Sequence, residues 1–350
     1  MHNFYKMTTP RITIKDLAGK MNFSVSTISR ALHNHPSIGK KTTREVQKLA
    51  KELGYFPNAV ASNLRKNRTH SIGVIVPRID IHFHSLAISG IEEVAYKKGY
   101  AVTIYQSKDS LDREISITNI LQTNMVDGII ICLGLETKDC SHFYRFKELG
   151  IPMVFYDRVS NDFDASKVII NDFEAAFKAT EHLVMNGCTK IAHIAGCQNT
   201  NIFKSRLEGY NAALIKHNIT VEESLIEYTD DLSYEEGVKC AKKLLSGKII
   251  PDGIFCANDY TAISAIQVFT KAGFHVPNDI AIVGFSNYPI SKIVEPTLTT
   301  IDDRAFEMGQ TATKLLIRQI NEKDQFIASE TIVLKTDLII RESTRHNPTT

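Results

Sequence analysis

ITIKDLAGKMNFSVSTISRALHNHPSIGKKTTREVQKLAKELGY, residues 12–55, decides the N-terminal fold. Thr13 followed by Asp16 reads as a helix start of the capping-box type, with Asp in place of the usual Glu. Ile14, Leu17, Ala18 and Met21 then recur at i, i+3, i+4 and i+7, one apolar stripe along a helix. Asn22-Phe23-Ser24 forms a brief turn into a second helix, with Ser24 as its N-cap and Ile28, Ala31 and Leu32 facing inward. Beyond His33-Asn34-His35-Pro36-Ser37, a third helix carries Val46, Leu49, Ala50 and Leu53 at the same spacing and stops at Gly54. If Ile28 points to the core, Val25, Ser26, Ser29 and Arg30 point out. Small hydroxyls, one apolar side chain and one Arg suit DNA: Arg can be bidentate to guanine, and Val can meet a thymine methyl. The competing reading is a plain three-helix bundle with a solvated face.

Charge weighs against that plain reading. Residues 1–70 hold 13 Lys/Arg against 3 Asp/Glu, while the remainder holds 28 against 36, so the overall +2 hides a basic head and a mildly acidic body. Such a head meets a polyanion. The segment from Pro57 to Arg68 is short, basic and helix-compatible, with little apolar surface to bury. It would be marginal as an isolated helix, so it reads as a linker that orders only when something supports it.

From Ser71 the pattern changes to short apolar runs alternating with amphipathic helices. Strands are expected at Ile72–Val76, Ala101–Tyr105, Gly128–Cys132, Met153–Tyr156, Val168–Ile170, Ile191–Ala195, Gly253–Cys256 and Ile280–Gly284. Helices are expected between them, among them Ser85–Lys98, Phe173–Asn186, Lys204–His217 and Tyr260–Ala272. Alternating strands and helices mean parallel α/β sheets, and there are enough of them for two lobes.

Several classes are disfavoured. The six cysteines are scattered, with no C-x-x-C pair and no zinc spacing, which fits reduced thiols rather than a disulfide framework. No apolar run is long enough to span a membrane, and MHNFYKMTTPRITIKD has no apolar stretch of the signal-peptide kind, so a cytoplasmic protein is expected. P-loop, G-x-S-x-G, H-E-x-x-H and G-x-G-x-x-G patterns are absent, so neither an enzyme nor a bound cofactor or metal is expected. A binding protein of transport or chemotaxis is the other alternative, and the fused basic helices argue against it.

The N-terminal stretch, continued through "FPNAVASNLRKNRTHSIGVIVP", resembles the N-terminus of the lactose-repressor (LacI/GalR) family of transcriptional regulators. The resemblance continues through "VDGIII", "IPMVFYDRV", "RLEGY", "DGIFCANDYTAISAI", "VPNDIAIVGF" and "EPTLTTI", to about Arg345. It implies an all-α helix-turn-helix domain over 11–57, a hinge helix and linker over 58–70, and a two-lobed periplasmic-binding-protein-like domain over 71–345 that binds an effector and dimerises. A homodimer on a pseudo-palindromic operator in double-stranded DNA is implied. No leucine heptad follows the fold, so a dimer is expected rather than a tetramer.

Matched residue by residue, the resemblance places Val25, Ser26 and Arg30 at base-reading positions. It places Thr13, Thr27, Ser29 and Thr42 at phosphate-contacting ones. Asn58, Ala61 and Leu64 match the hinge helix, where the family wedges a leucine into the minor groove; a contact between paired hinges is the other reading of Leu64. Asn22 replaces a common turn glycine, and Asn tolerates the left-handed conformation. His33 replaces a frequent asparagine.

In the sensor the matching effector positions are Phe83, His84, Asp157, Arg206, Asn258, Asp259 and Ser286. An aromatic face, two carboxylates, a guanidinium and an amide suit a sugar or related metabolite. Asp259 equally reads as a cap of the following helix, Phe83 as core, and Arg206 as a structural ion pair. Ser286 stands where many members have an aspartate, and Asp303 replaces another common ligand-side residue.

Overall fold

The computed structural model describes residues 12–55, 68–322 and 328–344. Its contacts divide the chain into two units between Thr69 and His70.

The first unit is a three-helix bundle: α1 (Ile14–Met21), α2 (Val25–Leu32) and α3 (Lys40–Glu52). The capping box forms as expected, with the Asp16 amide donating to Thr13 Oγ1 at 3.3 Å and the Thr13 amide to Asp16 Oδ2 at 2.7 Å. Asn22 adopts φ 57° and ends α1, so the asparagine does the work of the turn glycine. Ser24 Oγ then accepts from the Thr27 amide at 3.1 Å and starts α2. Leu17, Ile28, Ala31 and Val46 are fully buried, with Ala18 and Ala50 beside them. Each large aliphatic side chain buried in full stabilises by about 1.5–3 kcal/mol. Leu17, Ile28 and Val46 therefore carry most of what so small a core supplies.

The second unit has two lobes, each built on a six-stranded sheet. The first lobe holds β1 (Ser71–Val76), β2 (Ala101–Gln106), β3 (Gly128–Ile131), β4 (Met153–Tyr156), β5 (Ser166–Ile170) and, from far along the chain, β11 (Thr331–Leu334). They lie in the order β11-β5-β4-β3-β1-β2 and are parallel throughout. The second lobe holds β6 (Ile191–Ala195), β7 (Ile226–Tyr228), β8 (Gly253–Cys256), β9 (Ala281–Phe285), β10 (Thr299–Asp302) and β12 (Asp337–Ile339), in the order β12-β10-β9-β8-β6-β7. Only the β10–β12 pair is antiparallel, a departure from the all-parallel expectation. The helices are α4 (His82–Lys97), α5 (Leu111–Thr123), α6 (Tyr144–Glu148), α7 (Asp172–Met185), α8 (Asn201–Lys216), α9 (Tyr234–Ser246), α10 (Asp259–Lys271) and α11 (Ala305–Asn321).

All eight expected strands are present, shifted by no more than two residues. β7, β10, β11 and β12 were not expected. β10 shows why: Thr299 and Thr300 look like loop residues, yet both are fully buried. Their hydroxyls find partners inside, Thr299 with Thr344 at 2.7 Å and Thr300 with Asp259 at 2.6 Å.

The chain crosses between lobes three times, from β5 to α7, from β10 to α11, and from β11 to β12. α11 leaves the second lobe's sheet and packs on β3, β4, β5 and α4 of the first. The α4–α11 crossing is glycine-dependent. A Cβ at Gly90 would strike the Phe306 carbonyl, and one at Gly309 the Ala87 carbonyl. Parallel sheets place their strand ends, and hence their binding crevices, on one side, and here the ends of both sheets meet at the cleft between the lobes.

Candidate functional site

On the first unit, α2 turns Ile28 into the core and leaves Val25 (41% exposed), Ser26 and Arg30 outside, with Thr27 and Ser29 half-buried. Ser24 Oγ lies 2.8 Å from both Ser26 Oγ and Thr27 Oγ1, so the hydroxyls at the helix start hold one another in place. Arg30 has no carboxylate partner among the described residues. Thr42 is half-buried in the first turn of α3, and Thr13 is exposed at the N-cap of α1. Helix N-termini offer unpaired amides and a positive dipole end, which favour phosphate. The Thr13 hydroxyl is already committed, donating to Asp16 Oδ2 at 2.7 Å. His33 uses Nδ1 on the Ser29 carbonyl at 2.7 Å, closing the end of α2. Asn58, Ala61 and Leu64 lie outside the described residues.

In the second unit the cleft opens on about 560 Å³ of space unfilled by atoms, part of it continuous with solvent. Six of the seven expected effector residues line it: Phe83 and His84 from α4, Asp157 after β4, Arg206 from α8, Asn258 after β8 and Ser286 after β9. Asp303, at the β10–α11 crossing, lines it too. An outer chamber of about 620 Å³, walled by Arg78, Asp80, Tyr234 and Tyr260, shares Ile81, Asp231, Leu232, Asn258 and Tyr288 with the inner one.

Asp259 is the correction. It does not line the cavity and is fully buried behind it, accepting from the Tyr288 amide and the Thr300 hydroxyl, both at 2.6 Å. Burial pushes its carboxyl up to about 7, and those two hydrogen bonds oppose the shift. Nor is it the cap: Asn258 Oδ1 takes the Thr261 amide at 2.9 Å, while Asn258 Nδ2 donates to the Leu232 carbonyl at 2.9 Å. Asp259 braces the ends of β9 and β10, and Asn258 is half cap, half cleft wall.

The charges in the cleft are tightly engaged. Arg206 Nε donates to Asp172 Oδ1 at 2.8 Å, a terminal nitrogen donates to the Ala257 carbonyl at 2.8 Å, and the guanidinium stacks 3.6 Å from the Phe285 ring centre. Arg158 pairs with Asp109 at 2.7 Å. Burial pushes Asp172 up to about 6 against the pull of Arg206. It also raises Asp157, with Arg158 and Arg206 opposing, and lifts Asp303 well above the carboxylate range, with the Ser286 hydroxyl opposing. His84 is held neutral, chiefly by burial and then by the charge of Arg158.

Arg158, Phe203, Asp230, Asp231 and Tyr288 also line the cleft and were not anticipated. Arg158 had a visible signal, since it follows Asp157 in "YDRV". Asp230 and Asp231 follow β7, whose three residues are too few for a strand pattern to stand out.

A helix-turn-helix unit followed by two lobes with a buried polar cleft between them defines a DNA-binding transcriptional regulator that carries its own sensor. Residues 13–58 match the model of "Bacterial regulatory proteins, lacI family", and residues 180–344 match that of "Periplasmic binding protein-like domain". The chain is 33% identical to the HTH-type transcriptional repressor CytR of Escherichia coli K12 over 336 residues, covering 96% of this chain and 97% of that one. It is also similar to the Lac repressor dimer bound to operator and an anti-inducer (25% identity, TM-score 0.86, 95% of this chain and 99% of that one). A complex of the regulator CelR with cellobiose is similar as well (26% identity, TM-score 0.72, 95% and 100% covered). This chain belongs to the lacI family of bacterial regulatory proteins. Membership decides against the transport-receptor reading. No helix among the described residues is long and apolar enough to cross a membrane.

Proposed function

We propose that the protein is a cytoplasmic repressor, not an enzyme, that binds a pseudo-palindromic operator as a homodimer and changes its operator affinity when a small polar metabolite fills the cleft. In this reading residues 11–57 are the reader, 58–70 the hinge and 71–345 the sensor. Val25, Ser26 and Arg30 meet base edges, Thr13, Thr27, Ser29 and Thr42 meet phosphates, and Leu64 wedges into the minor groove with Asn58 and Ala61 beside it.

The observation that carries this reading is the position of the cleft. Asp157 and His84 belong to the first lobe, Arg206 and Asn258 to the second, and Asp303 to a crossing between them. A ligand held by all five binds one lobe arrangement better than another. It shifts their balance by that difference and by nothing else. The operator-bound Lac repressor dimer and the cellobiose-bound regulator CelR support the two halves of the reading, DNA and sugar-sized ligand.

The test is an electrophoretic shift of upstream genomic DNA by the full-length protein, with and without candidate sugars. A specific shift that a ligand strengthens or relieves is expected. Equal affinity for every DNA fragment refutes the operator reading, and a shift indifferent to every ligand that binds the protein refutes the effector reading.

A further inference from the structure

We propose that the cleft takes a small polyhydroxylated molecule bearing a positively charged amine, an amino sugar or amino polyol, and turns away carboxylated and phosphorylated ones. This rests on the effector-site reading above and adds the charge of the ligand.

The first argument is a surplus of carboxylates. Asp157 and Asp303 line the inner chamber, and Asp230 and Asp231 line its rim. None of the four forms a salt bridge among the described residues, whereas both lining guanidiniums are already spent. Arg206 is on Asp172 and Arg158 is on Asp109, acids that stand outside the lining. Among the described residues the Asp157 side chain has a single hydrogen-bonding neighbour, the Cys132 thiol at 3.7 Å. Asp303 has the Ser286 hydroxyl. Arg158 and Arg206 act on Asp157, and Arg206 on Asp303, only across space, each guanidinium being hydrogen-bonded elsewhere. An anion entering here would therefore meet acids with no direct partner, and an ammonium would supply one.

The second argument is independent of charge count. Two buried polar atoms in the lining, His84 Nδ1 and Arg158 Nε, have no hydrogen-bond partner among the described residues, on residues only 2% and 8% exposed. Buried polar groups without partners are rare in native proteins, and a ligand is one explanation for them. Arg158 Nε can only donate, so its partner is a ligand oxygen; the His84 nitrogen can donate or accept, which suits a hydroxyl. Hydroxyls on one side and an ammonium on the other describe an amino polyol. Burial has already pushed Asp157 and Asp303 toward their neutral forms, and an ammonium beside them restores their charge and gains two charge-assisted hydrogen bonds.

The experiment measures thermal shift and calorimetric titration of the full-length protein against three matched series. Glucosamine, galactosamine and mannosamine form the first, their neutral parents the second, and glucuronate, galacturonate and glucose 6-phosphate the third, each with disaccharide-sized relatives. At least one amine should bind tenfold or more tightly than its neutral parent, with no acid binding. Asp157→Asn and Asp303→Asn, each checked for folding by circular dichroism, should bring the ratio of amine affinity to neutral-parent affinity below about threefold, whatever the affinity of the neutral parent itself. A neutral or acidic sugar that binds as tightly as its amine overturns the proposal. So does an amine preference that survives both variants, and so does silence from all three series. Leu135→Trp, which fills the cleft without touching its charges, separates the two levels. If a bound sugar of the wrong charge is lost in that variant, the cleft remains the effector site and only the charge class fails. Binding that survives the filled cleft overturns both.

Discussion

The reader unit wears its working groups on the outside, and the sensor keeps its own inside. On α2, Arg30 faces solvent with no carboxylate to answer it among the described residues. In the cleft Asp157, Arg158, Arg206 and Asp303, and behind it Asp172, are all less than a tenth exposed. An exposed, uncompensated cation costs little to maintain because water solvates it, and it is ready for a polyanion that supplies the countercharge. Buried charge is expensive unless it is paired, so the sensor spends hydrogen bonds and ion pairs on keeping its site assembled. Damage should therefore spread differently: a change in the cleft costs stability along with recognition, and a change on the reading face costs recognition alone.

The largest effect should come from Arg206→Ala. Asp172 would be left buried without its partner and the Ala257 carbonyl without its donor, so the sensor should lose about 3–5 kcal/mol, together with its response to ligand. Urea unfolding followed by a sensor-specific probe reads this directly. An unchanged midpoint would mean that water replaces the guanidinium, and the contrast between the units would fail.

Ile28→Ala comes next. It removes a fully buried side chain from the reader's small core and should cost about 2–4 kcal/mol. DNA binding should collapse while ligand binding in the cleft stays at the parent value. Loss of both would show that the two units unfold together.

Arg30→Ala should cost about 1–3 kcal/mol on the operator and little on random DNA, with the folding transition unmoved. Titrations at one fixed salt concentration decide it. Equal losses on both DNAs would make Arg30 a phosphate contact and not a base reader.

The smallest effect is a pH dependence confined to the sensor. Asp259 titrates near 7 and Asp172 near 6 in the folded chain, both above the unfolded carboxyl, so the folded state binds more protons between about pH 4 and 7. Stability from these groups rises as pH falls through 7. His84 and His193 oppose it below about 6.5, because burial holds them neutral while the unfolded chain charges them. The sensor should show a shallow optimum between those limits, and the reader should not. Thermal midpoints from pH 5 to 8 would show it, and midpoints that fall steadily from pH 8 down to 6.5 would refute it.

Legibility follows the same division. The reader could be read almost residue by residue, because a 3.6-residue period states which side chains face out, and caps such as Thr13 and Ser24 state where helices start. The cleft is assembled from strand ends far apart in the chain, and period says nothing about which ends meet. Six of its walls came from family resemblance. Asp230 and Asp231 did not, since the short strand before them left no pattern. Asp259 was misplaced because a carboxylate at the start of a helix looks the same whether it faces a ligand or braces two strands. Thr299 and Thr300 hid a whole strand, because a buried hydroxyl with a partner is indistinguishable in sequence from an exposed one.

The return of α11 and β11 to the first lobe fixes an order of events during synthesis. That lobe begins at Ser71 but lacks its edge strand until Leu334 has been made, by which time almost the whole second lobe has also left the ribosome. Among the described residues the reader's core takes nothing beyond Tyr55. Domains fold as units as they emerge, so a growing chain holds a finished head while both lobes are still incomplete. During that interval the nascent protein holds its DNA-reading part before the part that senses a ligand is complete.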